Sequence, residues 1–369
     1  MKVIASLALG LLLAACGGAA APASAPASAS PTSAPASKPA ASAPPSAAAR
    51  APLNPAVKVH VAYTGAAAES ATFVGYDRGY FKDEGLDLDL IRIKTGQDAL
   101  ASVANGQIDV FASPPQAAIY NAIARSVDLK IVAYFQVTPP ISKSLVIMVR
   151  QDLVDSGRYK EPKDFKGMNW GATSTNSLYT EKALAKGGLK TSDVNIITLG
   201  YPDMLVAFAN KKLDAGQLVQ PFGSQAEKKG LAKTVLIAGE LLPGTPTTML
   251  MFGPSFVKDQ PEVAKRYMIG FIRAERDLYN AFDRNQGNKD DIYNLLVKYG
   301  DIKDPAQYAE VASEGQFNGT PPNGEMDVSG LETFQANFIA NGLQKEPLDF
   351  SKAVDHSFAD YAVQQLGRI

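Results

Sequence analysis

The chain has 369 residues, of which 46% are hydrophobic and 20% are charged, and its formal net charge is −1. This composition is typical of a soluble globular protein, and the balanced charge gives no electrostatic basis for binding nucleic acid. Cys16 is the only cysteine, and the two histidines, His60 and His356, lie far apart in the sequence. We therefore expect no disulfide within the chain, no metal site and no cofactor.

The first sixteen residues are typical of a secretion signal that ends at a lipid attachment site. Lys2 precedes an apolar run over residues 3–13, which is too short to span a bilayer. Residues 13–16, Leu-Ala-Ala-Cys, resemble the lipobox of bacterial lipoproteins, in which the cysteine is lipidated. We expect residues 1–15 to be a signal peptide and Cys16 to carry lipid. The alternative is an ordinary secretory peptide with a chance cysteine.

This interpretation predicts a protein outside the cytoplasm, on the periplasmic side of the membrane or at the cell surface, attached through lipid alone. Residues 16–56 are mostly Ala, Pro, Ser and Gly, and Lys38 and Arg50 are the only charged residues among them. Such a segment has too little apolar area to offset the entropy of ordering, so we expect a disordered linker. At roughly 3.1 Å per residue it could reach ~100 Å from the membrane.

The remaining residues, 57–369, exceed what one hydrophobic core usually serves, so two lobes are expected. Short β-branched or alternating segments separated by helical ones predict βαβ units and mostly parallel sheets. The predicted strands cover residues 57–63, 86–90, 108–112, 129–134, 145–149, 168–172 and 194–199. After residue 251 the pattern is helical. We expect residues 57–143 and 252–369 to form lobe 1 and residues 144–251 to form lobe 2, with crossings near 143–148 and 246–251.

Two segments of the chain are similar to each other. Residues 99–105 precede a turn that ends in Asp109, and residues 204–210 precede a turn that ends in Asp214, with leucine, alanine, asparagine and aspartate at matching places. Each segment then leads through a strand to a proline, Pro114 or Pro221. Two lobes built on one plan would give this pattern. The alternative is that the same helix-turn-strand preferences occur twice by chance.

Three motifs carry a resemblance to a known family. Residues 79–87 read Gly-Tyr-Phe-Lys-Asp-Glu-Gly-Leu-Asp, residues 105–109 read Asn-Gly-Gln-Ile-Asp, and residues 164–167 read Asp-Phe-Lys-Gly. Together they resemble the SsuA/THI5-like (NMT1-like) solute-binding proteins of ABC importers. The resemblance implies an α/β, two-lobed periplasmic-binding-protein fold of type II, with two parallel-rich sheets, flanking helices and a two-crossing hinge.

The resemblance also implies a monomer that closes on a small solute and delivers it to an ABC permease and its ATPase. A sulfonate, a pyrimidine-like compound or another small organic molecule would fit such a site. Tyr80 and Phe81 in the first motif are predicted to wedge a helix onto the sheet rather than to contact the solute.

The candidate site comes from four loops that follow predicted strands, because ligands of open α/β sheets lie beyond the carboxyl ends of the strands. Each loop precedes a helix start, where free backbone N–H groups favour an oxygen atom. The alternative role of these polar residues is plain helix capping. The loops contain no arginine or lysine, which weakens a sulfonate or nitrate site and leaves neutral or aromatic solutes open. The predicted ligand-binding residues are Tyr63, Thr64, Gly65, Ser113, Gln116, Thr173, Ser174, Thr175, Asn176 and Gln220.

Catalysis has little support in the sequence, because the chain has no Gly-x-Ser-x-Gly, Walker or Gly-x-Gly-x-x-Gly motif. We therefore expect a protein that is not an enzyme. Two alternatives stay open: a lipid-anchored ligand sensor, and a pyrimidine-precursor enzyme of the THI5 type. Such enzymes use an active-site histidine and a cysteine-rich motif, which a chain with one cysteine does not match.

Overall fold

A computed structural model describes residues 51–94, 96–125 and 127–369, apart from the side chain of Gln97. The described residues belong to one compact unit that contains ten strands. The strands are β1 Val57–Tyr63, β2 Leu86–Arg92, β3 Val110–Ser113, β4 Lys130–Val137, β5 Leu145–Arg150, β6 Asn169–Ala172, β7 Asn195–Thr198, β8 Ala215–Val219, β9 Ala232–Ile237 and β10 Pro246–Phe252.

Sixteen α-helices connect and cover these strands in the described part of the chain. The first nine are α1 Ser70–Asp77, α2 Tyr80–Asp83, α3 Leu100–Ala104, α4 Ala117–Ala124, α5 Gln151–Asp155, α6 Leu178–Ala185, α7 Tyr201–Ala209, α8 Phe222–Lys228 and α9 Ala238–Leu241. The others are α10 Pro254–Asp259, α11 Pro261–Leu278, α12 Lys289–Tyr299, α13 Pro305–Ser313, α14 Val328–Ala340, α15 Phe350–Ala353 and α16 Ser357–Leu366. Within the described ranges, none of these helices is both long enough and apolar enough to cross a membrane.

The strands form two five-stranded sheets, in the orders β2-β1-β3-β10-β4 and β7-β6-β8-β5-β9. In each sheet four strands are parallel, and the fourth position holds the one antiparallel strand, β10 or β5. Each of these two strands follows, in chain order, a strand of the other sheet: β5 follows β4, and β10 follows β9. Two parallel-rich sheets joined by two chain crossings were predicted, and this architecture is confirmed.

The boundary of the second lobe differs from the prediction. Residues 246–251 were assigned to lobe 2, but they lie in β10, which pairs with β3 and β4 of the first sheet. The chain therefore returns to the first sheet before Pro246. At the two crossings the backbones are hydrogen-bonded to each other, because Thr138 N–H donates to Thr245 O and Gly244 N–H donates to Thr138 O, both at 2.8 Å.

The end of the predicted linker also differs. Residues 51–56 pack on the folded body: Leu53 N–H donates to Glu84 O at 3.3 Å, and the Arg266 guanidinium donates to Ala51 O at 2.9 Å. Gly85 permits this approach, because its φ is +77° and a Cβ there would lie 2.2 Å from the backbone nitrogen of Leu53. The signal peptide, Cys16 and the linker up to residue 50 lie outside the described residues.

The glycine-rich motif at residues 79–87 has a packing role. Phe81 is buried and stacks on Tyr267 of α11, with ring centroids 4.7 Å apart. A Cβ at Gly75 or Gly270 would lie 2.7 or 2.6 Å from the Phe81 ring, so two glycines make room for it between α1 and α11. Phe81 thus fixes these helices against each other in the first hydrophobic core.

The two similar segments have the same hydrogen bonds. The Asp109 carboxylate accepts from the backbone N–H of His60 at 2.8 Å, and the Asp214 carboxylate accepts from that of Asn169 at 3.0 Å. In return, the backbone N–H of each aspartate donates to the carbonyl of the same residue, at 2.9 Å in both cases. Asp109 therefore clamps the start of β3 to β1, and Asp214 clamps the start of β8 to β6. The shared plan extends to this level of detail.

Replacing either clamp aspartate should destabilise the fold by a similar amount. A hydrogen bond to a charged group contributes about 1.5–3 kcal/mol, so Asp109→Ala and Asp214→Ala should each lower the free energy of unfolding by about that much. The exposed Asp87 of β2 provides a matched control, and Asp87→Ala should change little. Urea unfolding of the three variants measures this, and equal stability of all three would show that the clamps contribute nothing.

Candidate ligand-binding site

A cavity with a volume of about 1360 Å³ lies between the two sheets. Loops at the carboxyl ends of four strands line it, two from each sheet: residues 65–68 after β1, 114–118 after β3, 173–179 after β6 and 219–222 after β8. Crevices at the carboxyl ends of strands are where open α/β sheets bind ligands. Both lobes therefore contribute to one site.

The ten predicted site residues divide into two groups. Four of them do not line the cavity: Tyr63, Thr64, Ser113 and Thr175. The other six line it: Gly65, Gln116, Thr173, Ser174, Asn176 and Gln220.

The first loop is hydrogen-bonded to the Glu69 side chain, which was not among the predicted site residues. The buried carboxylate of Glu69 accepts hydrogen bonds from Thr64 N–H at 2.9 Å, from the Thr64 hydroxyl at 2.9 Å and from Gly65 N–H at 3.0 Å. Burial raises the pKa of the Glu69 carboxyl, and these hydrogen bonds oppose that rise. The donors of Thr64 and Gly65, predicted to serve a solute, are therefore already used.

Tyr63, which was predicted to contact the solute, does not line the cavity and packs within the first lobe. Its ring meets Phe73 edge-on, with centroids 5.5 Å apart, and the Arg92 guanidinium lies 5.7 Å from its centroid.

Replacing Glu69 tests the first loop. Glu69→Ala leaves two backbone N–H groups without their acceptor, and each such loss costs about 1–3 kcal/mol, so we expect the free energy of unfolding to fall by about 2–6 kcal/mol. Solute affinity should also fall, because Gly65 lines the cavity. Glu69→Gln keeps one acceptor oxygen and should lose less stability. Thermal melts compare the variants, and an unchanged melting temperature for Glu69→Ala would contradict this role.

Ser113 and Gln116 act together at the second loop. The buried Ser113 hydroxyl donates to Pro114 O at 3.0 Å and accepts from Gln116 Nε2 at 3.1 Å. Gln116 is the N-cap of α4, and its side chain lines the cavity. Ser113 thus positions Gln116, and Gln116 is the residue of this pair that can reach a solute.

A buried polar network holds the second-lobe loop. The Ser177 hydroxyl donates to Gln217 Oε1 at 2.6 Å, and Thr180 donates to the same oxygen at 3.1 Å. Trp170 Nε1–H donates to Thr180 Oγ1 at 3.1 Å. Because Gln217 of β8 is buried, this network fixes the start of α6 against the sheet. The exposed side chains of Thr173 and Ser174 are thereby held at the cavity.

Gln220 uses both ends of its side-chain amide inside the protein. Its Oε1 accepts from Ser224 N–H at 3.1 Å and from the Ser224 hydroxyl at 2.9 Å, and its Nε2 donates to Lys143 O at 3.2 Å. Gln220 therefore ties α8 to the first crossing segment. It borders the cavity mainly as a structural residue.

Two sets of contacts connect the lobes close to residues that line the cavity. The Glu181 carboxylate of α6 accepts from the side-chain amides of Asn337 at 2.6 Å and Asn341 at 2.8 Å, both at the end of α14. Lys228 of α8 forms an ion pair with Glu310 of α13 at 2.9 Å. Since these partners are 82 to 160 residues apart in sequence, only the folded structure reveals them.

Charged residues reach the cavity from the segment between α12 and α13. Asp301 and Lys303 line it, although the four predicted loops contain no lysine or arginine. Asp301 is paired with Arg92, whose guanidinium lies against Gly65. The two histidines lie elsewhere: His60 contacts Asp109, and neither histidine lines the cavity. The described residues contain no cluster of three or more His, Cys, Asp or Glu that could hold a metal ion.

The architecture and the cavity define a two-lobed α/β protein of the periplasmic-binding type. Residues 53–297 match the model of the NMT1-like family, and the chain belongs to that family. The predicted family resemblance is therefore confirmed. Among curated proteins, it is 25% identical over 210 residues to "Putative binding protein YtlA" of Bacillus subtilis (strain 168). That match covers 56% of this chain and 62% of the relative's length.

Solved structures share the fold at low sequence identity. The periplasmic aliphatic sulphonate binding protein SsuA from Escherichia coli superposes with a TM-score of 0.64 at 18% identity, covering 82% of this chain and 99% of that chain. The desulfurization enzyme DSZB superposes with a TM-score of 0.61 at 12% identity, covering 84% and 99%. Because one fold carries both a binding protein and an enzyme, function must be argued from the site.

Proposed function

We propose that this chain is the extracytoplasmic solute-binding component of an ABC importer. It captures a small organic solute between its two lobes and delivers the solute to a permease and its ATPase. The observation that carries this proposal is the cavity of about 1360 Å³ lined by loops of both sheets. A solute there touches both lobes at once, and lobes joined by only two chain segments can close around it by a hinge motion.

Native mass spectrometry of protein purified without denaturation tests the binding step. We expect a small molecule to be released from the wild-type protein, and deletion of the gene should reduce cellular uptake of that molecule. Conversion of the molecule by the purified protein would support an enzyme instead. Binding that leaves uptake unchanged in the deletion strain would support a sensor.

We also propose that Cys16, which lies outside the described residues, anchors the protein through lipid. Each buried CH₂ contributes ~0.8 kcal/mol to membrane binding, so two or three acyl chains hold a protein firmly. Cys16→Ser should move the protein from the membrane fraction to the soluble extracytoplasmic fraction. Lys38→Ser, in the same linker, is the control and should stay with the membrane. A Cys16→Ser protein that still sediments with membranes would refute the anchor.

A further inference from the structure

The end of the second lobe that lies away from the cavity carries a cluster of basic side chains. Residues 158–167, which precede β6, and residues 182–193, which run from the end of α6 to the turn before β7, contain seven basic and three acidic residues, a formal charge of +4. The whole chain has a formal charge of −1, so its remaining residues together carry −5. We call these two segments the basic tip. All seven of its basic residues are exposed: Arg158, Lys160, Lys163, Lys166, Lys182, Lys186 and Lys190.

The two segments of the basic tip pack together as one surface. A Cβ at Gly187 would lie 2.4 Å from the backbone of Pro162, and Gly167 N–H donates to Asp193 O at 2.7 Å. Beneath them, the Phe165 ring is fully buried in a hydrophobic core of this lobe. The positive charges are therefore held close together on a packed part of the fold.

Most of the positive charge of the basic tip is not compensated by its acidic residues. Glu161 forms an ion pair with Lys163. Asp164 and Asp193 each accept a backbone hydrogen bond of 2.8 Å from within the tip. The other six basic side chains form no ion pair with any of the residues that the structure describes. An anionic partner would supply the missing negative charge.

The composition of the basic tip favours a lipid surface over a protein as that partner. Protein interfaces centre on aromatic or apolar anchors, and none of the exposed large hydrophobic side chains of the described residues lies in the tip. Six of the seven basic residues are lysines, whose hydrated ammonium groups need no fixed partner geometry and suit mobile lipid phosphates. Stabilisation of the helix dipole would account only for Lys182 and Lys186, at the end of α6.

We propose that the basic tip docks the tethered protein on the anionic phospholipids of the membrane that holds it. The tip lies at the amino ends of β6 and β7, whereas the cavity lies at the carboxyl ends of the strands, so docking leaves the cavity open. The predicted linker, at roughly 3.1 Å per residue, is long enough for the tip to reach the bilayer. A tether also raises the local concentration of the tip at the membrane, so a weak intrinsic affinity is sufficient. The proposed lipid anchor enters only through this tether.

Vesicle sedimentation of the full chain carrying Cys16→Ser tests the docking, because this chain has no lipid of its own. At low salt it should bind vesicles of equal parts phosphatidylglycerol and phosphatidylcholine, and it should not bind vesicles of phosphatidylcholine alone. Each basic residue near an anionic surface contributes about a fivefold gain in affinity, so Lys160→Gln, Lys166→Gln and Lys190→Gln together should weaken binding about 100-fold. High salt should abolish binding, because the Debye length falls from ~10 Å at 0.1 M to ~3 Å at 1 M.

A matched triple variant in the first lobe separates the basic tip from net charge. Lys58, Lys258 and Lys345 are exposed, lie outside the tip and form no ion pair within the described ranges. Replacing all three by glutamine removes the same total charge and should leave vesicle binding close to that of the parent chain. Thermal melts verify that both triple variants are folded.

Three results would overturn the inference: equal binding to both kinds of vesicle, no binding to either kind at low salt, or equal losses in the two triple variants. Absence of vesicle binding, together with cross-linking of the tip to an acidic protein in cells, would assign the tip to a protein partner instead. None of these results depends on solute uptake, so the proposed function stands or fails separately. A high-salt wash of the membranes removes docking from the fractionation of Cys16→Ser, so the anchor is also tested separately.

Discussion

Replacing Thr173, Ser174 and Asn176 together by alanine should weaken solute binding by about 10- to 1000-fold. These three side chains follow β6 and line the cavity from the second lobe. Each neutral hydrogen bond contributes about 0.5–1.5 kcal/mol net, and 1.4 kcal/mol is a tenfold change in affinity. The fold should survive, because the buried network of Ser177, Thr180 and Gln217 that holds the loop is untouched.

Thr175 provides the matched control for this experiment. It is exposed in the same loop but does not line the cavity, so Thr175→Ala should keep the wild-type affinity. Calorimetry with the identified solute measures both variants. A folded triple variant with unchanged affinity would show that the second-lobe loop does not contact the solute. The first-lobe side chain of Gln116 would then be the next residue to replace.

Glu275→Gln should raise stability at neutral and alkaline pH. Glu275 of α11 is fully buried, and neither carboxylate oxygen has a hydrogen-bond partner among the described residues. Burial raises the pKa of the Glu275 carboxyl well above its usual range, and the nearby charge of Asp283 raises it further. Burying Glu275 in the folded protein therefore requires either that its carboxyl binds a proton or that a negative charge is buried. A glutamine at this position avoids both.

The sign of the pH dependence follows from proton binding. Between the unfolded and the folded pKa of Glu275, the folded protein holds a proton that the unfolded chain releases. The stability that this proton contributes is therefore fully present below the unfolded pKa of Glu275 and is lost as pH rises through its folded pKa. The advantage of Glu275→Gln should be absent near pH 4. It should then grow by up to about 1.4 kcal/mol per pH unit until the folded pKa is reached.

Urea unfolding at a series of pH values measures this difference. Glu69, whose pKa is also raised by burial, is present in both proteins and cancels in the comparison. The exposed Glu332 of α14 supplies the control, and Glu332→Gln should follow the wild-type curve. Parallel curves for Glu275→Gln and the wild-type protein would contradict the account of Glu275.

Local patterns in the sequence predicted much of the fold. Residues 57–63 alternate in β-branched side chains and form β1 with those bounds. The similar turns at Asp109 and Asp214 were visible because helix ends, turns and strand starts depend on neighbouring residues. β9 was not predicted. The sheet that β10 joins could not be predicted, because an apolar strand can pair in either sheet and only tertiary contacts decide between them.

The sequence predicted which loops form the candidate site, but it did not predict which of their donors are already hydrogen-bonded within the protein. The carboxyl ends of β1, β3, β6 and β8 meet at the cavity, as the strand-helix order implies. Which donors remain for a solute depends on Glu69, which takes those of the first loop. The polarity of the cavity depends on Lys303 and on α14, which come from the distant helical segment. The polar residues of the four predicted loops therefore gave no indication of Lys303 or of the α14 residues.

A crystal structure of the protein with its co-purified solute tests the central claim most directly. We predict solute density between the two sheets, within contact of Gln116 from the first lobe and of Thr173 or Ser174 from the second. Density for the solute elsewhere on the molecule, or contact with residues of only one lobe in a closed structure, would contradict a binding protein that captures its solute between two lobes.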